Sequence, residues 1–418
     1  MREADRRPLP TKGVALRALP RGSTNLLDAD IPLPAAVLKA SALEHNGRWM
    51  RAFLAAHDVA IARHGKTTMS PALFHRQIAD GAWGITAATV QQAAVMRASG
   101  IRRVLIANQV VDRASMRWCF EILRDDPSFA LHVVVDSLAG MARLSEAGVA
   151  VQPGRRLPVL VELGVDGGRT GCRTVEQGLD VARAVAASPA LALCGIEGYE
   201  GAIPGADLKA QEQAIRAFVA SLADLARRCA DESLFGGEPV LLSAGGSAFF
   251  DLCTALPREL CGRRTLVLLR SGCYLTFDNG HYRRLWQRLL ERAPDAAALG
   301  EPLRPALEVW CSVQSVPEPG LAILTLGKRD VSHDIDLPMP RWRAADGSRR
   351  VEACPASWRI DALNDQHAFM RCDPHDMPAV GERVGCAISH PCTTFDKWRA
   401  LLVVDDDYGV VETVSTYF

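Results

Sequence analysis

The chain has no excess of charge of either sign, with 48 Lys and Arg against 48 Asp and Glu in 418 residues, and aromatics make up only 6% of it. Without a broad basic field it has no general means of holding nucleic acid or an anionic lipid surface, so a small-molecule partner is expected. It also lacks an apolar run long enough to span a bilayer, and no hydrophobic stretch follows the charges of its opening MREADRRPLPTKG, which predicts a cytoplasmic protein. No internal repeat or low-complexity tract is present. The twelve cysteines are scattered singly rather than set in a disulfide pattern, so most read as small buried hydrophobes. Cys392 differs, because it stands two positions after His390.

What is present is a rhythm. From about residue 35 to residue 275, short apolar runs alternate with helical patterns, which predicts parallel strands wrapped by helices. The strand candidates are Ala35–Val37, Val59–Ala62, Gly84–Thr86, Arg103–Ile106, Leu131–Val135, Pro158–Leu163, Leu193–Tyr199, Val240–Ser243 and Thr265–Leu269. About eight such units favour an α/β fold of the closed (β/α)8 TIM type, whose chemistry clusters where strands end. After about Tyr282 the pattern turns to alternating runs separated by Pro, Gly and Asp, which predicts a mostly antiparallel β domain, with Leu337–Pro355 as an exposed loop. The expected division is an N-terminal extension over 1–30, the barrel over 31–285 and the β domain over 286–418.

Four segments could carry chemistry. In Arg63-His64-Gly65-Lys66-Thr67, a lysine follows a strand, where partial desolvation would leave an amine able to form an imine. Ser243-Ala244-Gly245-Gly246-Ser247 follows a late strand, and its small residues would let backbone N–H groups approach a phosphate. Arg270-Ser271-Gly272-Cys273-Tyr274 is a second such turn. The run Glu162 to Gly171 ends in Arg169-Thr170-Gly171, an arginine that can donate but never give up its proton. Finally, His390 and Cys392 at a strand end can face one metal ion, although two ligands leave the site incomplete. His333, Asp334, Gln366 and His367 are further polar residues whose bland reading is an ordinary loop or core position.

In this order the segments resemble the fold-type III pyridoxal 5'-phosphate (PLP) enzymes, an alanine racemase-like barrel followed by a β domain. More narrowly they resemble the branch of D-threonine aldolase, D-serine dehydratase and D-threo-3-hydroxyaspartate dehydratase. The further carriers are Gly84-Ile85-Thr86, Ile106-Ala107-Asn108 and Gly195-Ile196-Glu197-Gly198-Tyr199-Glu200-Gly201. The resemblance implies Lys66 as the Schiff-base lysine, Arg169 as partner of the pyridine nitrogen and Tyr199 near the cofactor, these three being the catalytic candidates. It implies His64, Ser243, Gly245, Gly246, Ser247, Gly272, Cys273 and Tyr274 as further cofactor contacts, and His390 with Cys392 as ligands of a divalent metal, Zn2+ by the thiolate. It also implies a homodimer and a small amino-acid substrate. The chain departs from the family in Ala62-Arg63-His64, where Arg-Pro-His is common, and in Glu200-Gly201, where a histidine commonly follows the tyrosine. The cysteine at 392 favours dehydration and deamination of a D-serine- or D-threonine-like substrate to a 2-oxo acid and ammonia. Retro-aldol cleavage, racemisation, a non-enzymatic PLP-binding homeostasis role and an unrelated barrel chemistry are the alternatives.

Overall fold

A computed structural model describes residues 24–28 and 31–418. Residues 1–23, 29 and 30, most of the extension expected over 1–30, lie outside the described residues. The chain forms two compact units: one holds residues 51–66 and 74–272, the other the described residues up to Met50 together with 67–73 and 273–418.

The first unit is a barrel. Its eight strands run in the order Ala60–His64, Gly84–Ala87, Arg103–Gln109, Ala130–Val135, Leu157–Leu163, Leu191–Gly198, Val240–Ser243 and Arg263–Leu269, and the last pairs in parallel with the first to close it. Local sequence starts several of the intervening helices: Thr89, Asp112, Ser137, Thr174 and Asp207 each sit one residue ahead of a helix and accept an N–H from its first turn. Ala62, Leu105, Val134, Leu160, Leu241 and Leu268 pack together as a core cluster. Side chains alternate along a strand, so His64, Glu162, Ser243 and Arg270, each two residues beyond a member of that cluster, face the same side, one layer nearer the carboxyl ends. Glu197 joins the layer by register, paired with both Glu162 and Ser243.

In the second unit, seven strands run in the order Glu352–Ala353, Met339–Ala344, Arg383–Ala387, Leu307–Glu318, Ala35–Lys39, Ala400–Val404 and Val410–Ser415, and three more extend from Leu307–Glu318 through Leu321–Leu324. All pairings are antiparallel except that of Ala35–Lys39 with Ala400–Val404. Leu26, Leu27, Val37, Trp310, Leu402 and Tyr408 form part of its core.

Two expectations need correction. The run at Ala35–Val37 is not a barrel strand but lies mid-sheet in the antiparallel unit, between Leu307–Glu318 and Ala400–Val404. A strand buried on both faces is a continuous apolar run in either setting, and periodicity cannot separate the two. Leu337–Pro355 is not simply a loop, because Met339–Ala344 pairs with Arg383–Ala387 and Glu352–Ala353 pairs with Met339–Ala344. Its proline is accommodated by a register shift between Pro340 and Trp342, the kind of irregularity at which a strand tolerates the missing N–H.

Candidate active site

Within the barrel unit, the strand-end layer is charged and densely bonded. Glu162 accepts from Thr170 Oγ1 at 2.8 Å and from the Gln109 amide. Glu197, 2% exposed, pairs with Arg270, 6% exposed, which also donates to the Gly198 carbonyl at 2.7 Å. Burial pushes the Glu197 carboxyl up to about 7, against the pull of Arg270. Ser243 Oγ donates to the Leu268 carbonyl at 3.0 Å, and Arg270 N and Ser271 Oγ both donate to the Gly245 carbonyl, at 3.0 and 3.2 Å. The two small-residue turns after the last strands are thereby stitched together.

Tyr199 and Glu200 clamp that glycine turn. Glu200 is fully buried and accepts the N–H of Gly245 at 2.9 Å and of Gly246 at 2.6 Å, one on each carboxylate oxygen. The amides expected to meet a phosphate therefore meet a carboxylate. A Cβ on Gly246 would stand 2.7 Å from Tyr199 Cε2, so the tyrosine ring lies directly on the turn, and Gly245 has φ +93°, a conformation that suits glycine alone. The Arg169 guanidinium stands 4.9 Å over the Tyr199 ring. Arg169 reaches this place through a tight turn in which Gly171, at φ +96°, approaches the Gly164 backbone too closely for any side chain. Arg169, Tyr199, Gly245 and Gly246, more than seventy residues apart at the extremes, are thus brought into one neighbourhood at the barrel rim.

Lys66 sits in the 3-10 turn Gly65–Thr67 after the first barrel strand and is exposed, so the desolvation expected for it is not supplied by its immediate surroundings. A Cβ at Gly65 would fall within 2.4 Å of Met96 and 2.8 Å of Ile85, which makes glycine the residue that lets the turn pack against the barrel wall. His64, one step earlier, keeps a buried Nδ1 with no hydrogen-bond partner among the described residues. Burial first, and then the positive charges of Lys66, Arg270 and Arg169, hold its imidazole well below its usual range, so it is neutral at pH 7. An unpartnered ring nitrogen, a rim lined with Lys66, Arg169 and Arg270, and a tyrosine face fit a phosphorylated, anionic heterocycle such as PLP.

The second unit brings together the other candidates. Cys392 is half-buried; its Sγ lies 3.7 Å from the Sγ of buried Cys273 and hydrogen-bonds to Thr67 Oγ1 at 3.4 Å, while Thr67 Oγ1 lies 3.9 Å from Cys273 Sγ. The neighbouring thiol of Cys273 and the imidazole of His390 draw the Cys392 thiol well below its ordinary range, while the contact with Cys392 and burial push the Cys273 thiol up. His390 Nδ1 bonds to Asp334 Oδ2 at 2.6 Å and Thr393 Oγ1 donates to Asp334 Oδ1 at 2.8 Å. Its contact with Cys392, reinforced by Asp334, raises the imidazole to about 9. An imidazole whose Nδ1 is oriented by a carboxylate, beside a thiol that ionises readily, suits a divalent metal of zinc-like softness. Among the described residues no group of three His, Cys, Asp or Glu is assembled to hold such an ion, so water or substrate would complete the set. Asp334 is the residue whose role the spacing of His390 and Cys392 does not announce, since it arrives from 56 positions earlier. Tyr274 is buried in this unit. His333 is exposed beside Asp334, and Gln366 and His367 are exposed in a hairpin turn.

Two family models match the chain in succession: Alanine racemase, N-terminal domain, over residues 38–244, and "Putative serine dehydratase domain" over residues 306–404. In that order the two matches make up the two-domain plan of the fold-type III PLP enzymes, to which the chain is similar. The chain is 27% identical to D-threonine aldolase of Arthrobacter sp over 387 residues, 92% of either protein. It is 28% identical to 3-hydroxy-D-aspartate aldolase of Paracoccus denitrificans over 316 residues, covering 74% of this chain and 76% of that one. Among solved structures, D-threonine aldolase from Filomicrobium marinum superposes with a TM-score of 0.72 at 24% identity, over 93% of this chain and 95% of that one. D-threo-3-hydroxyaspartate dehydratase from Delftia sp. HT23 follows at 0.71 and 20%, over 94% and 99%. That dehydratase is also solved with alanine replacing a histidine and, two positions later, a cysteine, the cysteine variant in a metal-free form. These structures share the fold. Among the described residues no helix is long and apolar enough to cross a membrane.

Proposed function

We propose that this chain is a PLP-dependent lyase of small D-3-hydroxy amino acids, and that it eliminates water from them to give an enamine, whose hydrolysis by one water releases ammonia and a 2-oxo acid. The observations that carry the reading are, in the barrel unit, a strand-end lysine two residues after a neutral imidazole whose Nδ1 is unpartnered and, in the other unit, a His-x-Cys pair oriented by Asp334. Lys66 would carry the cofactor and, once freed by substrate, hold the α-proton on its Nζ. Bound PLP supplies the electron sink that acidifies the substrate's α-carbon. Arg169 would donate to the pyridine nitrogen and keep it unprotonated, because guanidinium cannot release a proton at these pH values. Tyr199, held by Arg169 on one side and resting on Gly246 on the other, would orient the ring. His64, neutral, can accept a hydrogen bond at Nδ1.

His390 and Cys392 would hold a divalent metal, Zn2+ by the softness of the thiolate, and that ion would supply Lewis acidity toward a hydroxyl group. The presence of a His-x-Cys spacing in the Delftia dehydratase supports dehydration. A second reading, retro-aldol cleavage to glycine and an aldehyde, is favoured by the names of the curated relatives. A cytoplasmic homodimer completes the proposal, checked by light scattering on the purified enzyme. The deciding experiment offers D-serine, D-threonine and D-threo-3-hydroxyaspartate separately and assays 2-oxo acid, ammonia and glycine. The proposal expects 2-oxo acid and ammonia in equal amounts; glycine and an aldehyde would establish the aldolase instead, and the L-enantiomer alone would indicate a racemase.

A further inference from the structure

The metal pair proposed above contains a thiol that has a second thiol for a neighbour. We infer that Cys273 and Cys392 form a reversible disulfide under hydroperoxide, and that this bond withdraws Cys392 from the metal. The inference rests on the reading of Cys392 as a metal ligand for its consequence, but not for its chemistry.

The geometry is specific to this pair. The two sulfurs are 3.7 Å apart and Thr67 Oγ1 contacts both, so closing to a bond of about 2.05 Å requires a movement of less than two ångströms shared between two side chains. The pair joins positions 119 residues apart, Cys273 in the turn that follows Leu269 and Cys392 as the first residue of the short helix Cys392–Phe395. Access is unequal: Cys392 is half-buried while Cys273 is 3% exposed, which makes Cys392 the sulfur that meets the oxidant and Cys273 the one that resolves it. The molecule also holds two controls. Cys311 and Cys386 face each other but are both fully buried, and Cys261 is exposed but hydrogen-bonds a carboxylate, Asp231, rather than a second thiol.

The electron balance closes with one hydroperoxide. The Cys392 sulfur attacks a peroxide oxygen, the O–O bond breaks, and water leaves behind a sulfenic acid. The Cys273 sulfur then attacks that sulfur, the S–O bond breaks and a second water departs. Two thiols are oxidised by two electrons and the peroxide is reduced. In the bonded state the Cys392 sulfur has no thiolate charge left to give a cation, and a dithiol reductant restores it.

The experiment treats the purified, metal-loaded enzyme with hydrogen peroxide, quenches with a thiol-alkylating reagent and maps the peptides by mass spectrometry, with metal content measured in parallel. The expected result is a Cys273–Cys392 linked peptide, a free-thiol count lowered by two from twelve, release of metal, and return of both thiols and metal binding after dithiothreitol. In Cys273→Ser the linked peptide should vanish and Cys392 should instead run on to the sulfinic acid. Failure to find the linked peptide in wild type while Cys392 is overoxidised, or a link made through Cys261, overturns the inference. A linked protein that keeps its metal leaves the disulfide standing and overturns the assignment of Cys392 as a ligand.

Discussion

The strand-end layer of the barrel unit and the cluster around Cys392 in the antiparallel unit hold their polar groups by opposite means. In the barrel each carboxylate of the strand-end layer is held by a strong, directed partner: Glu162 by Thr170 and Gln109, Glu197 by Arg270, Glu200 by two backbone amides. In the antiparallel unit the group around Cys392 is held by soft contacts of 3.4 to 3.9 Å, with one short bond, His390 to Asp334, at its edge. Fully paired charges in a low-dielectric layer make a rigid frame, costly to disturb. Loosely held thiols make a reactive group that a metal or an oxidant can reorganise at small cost.

That contrast can be broken at several points. The largest effect is expected at the barrel rim: Lys66→Ala should lose on the order of 10^4-fold in turnover, the upper range for a positioned proton-transfer group, and should abolish the visible absorbance of the purified protein. A variant that kept its spectrum would remove Lys66 from the chemistry. Next, Arg270→Leu should cost about 3–5 kcal/mol in urea unfolding, because it strands Glu197 as a buried, unpaired charge. Glu200→Ala orphans two buried amides and should cost about 2–4 kcal/mol, whereas Glu200→Gln should recover part of that through its remaining oxygen. If both Glu200 variants melt like wild type, the clamp on the glycine turn is not structural.

In the antiparallel unit, Asp334→Asn should leave folding intact and weaken metal binding by about 10–100-fold, as loss of a ligand-orienting carboxylate does, measured by titration of the metal-free protein. The smallest effect separates the two units by sign. Burial and Arg103 depress His132 of the barrel to about 4, so it contributes stability above its unfolded value of 6.5 that is lost as pH falls toward 4; His132→Phe should flatten that acid limb. Burial raises Asp278 of the antiparallel unit to about 7, so its contribution is full below about 4 and lost as pH rises through 7; Asp278→Asn should flatten the thermal midpoint across that window. Shifts of the same sign in both variants would erase the distinction.

Much of the architecture was legible from pattern. Alternating apolar runs and helical stretches announce a parallel barrel, because that signal is local in the chain. The ordered lysine, glycine turns and His-x-Cys pair were enough to suggest the family that the comparisons bear out. The sequence could not reveal that Ala35–Lys39 joins the other sheet, because a doubly buried strand has the same composition in either place. Nor could it reveal that Glu200 would occupy the Gly245 and Gly246 amides, since only the fold sets residues 45 apart at hydrogen-bond distance.

By itself, then, the sequence determined the periodicities, the caps, the glycines that permit close turns, and the reactive side chains available. Tertiary structure alone decided which of those side chains meet: Arg169 over Tyr199, Arg270 beside Glu197, Asp334 on His390, Cys273 against Cys392. The physical reason is that periodicity and capping arise from interactions within a few residues. Ion pairing, thiol contact and desolvation depend on distances in space, and those exist only once the strands have found their register.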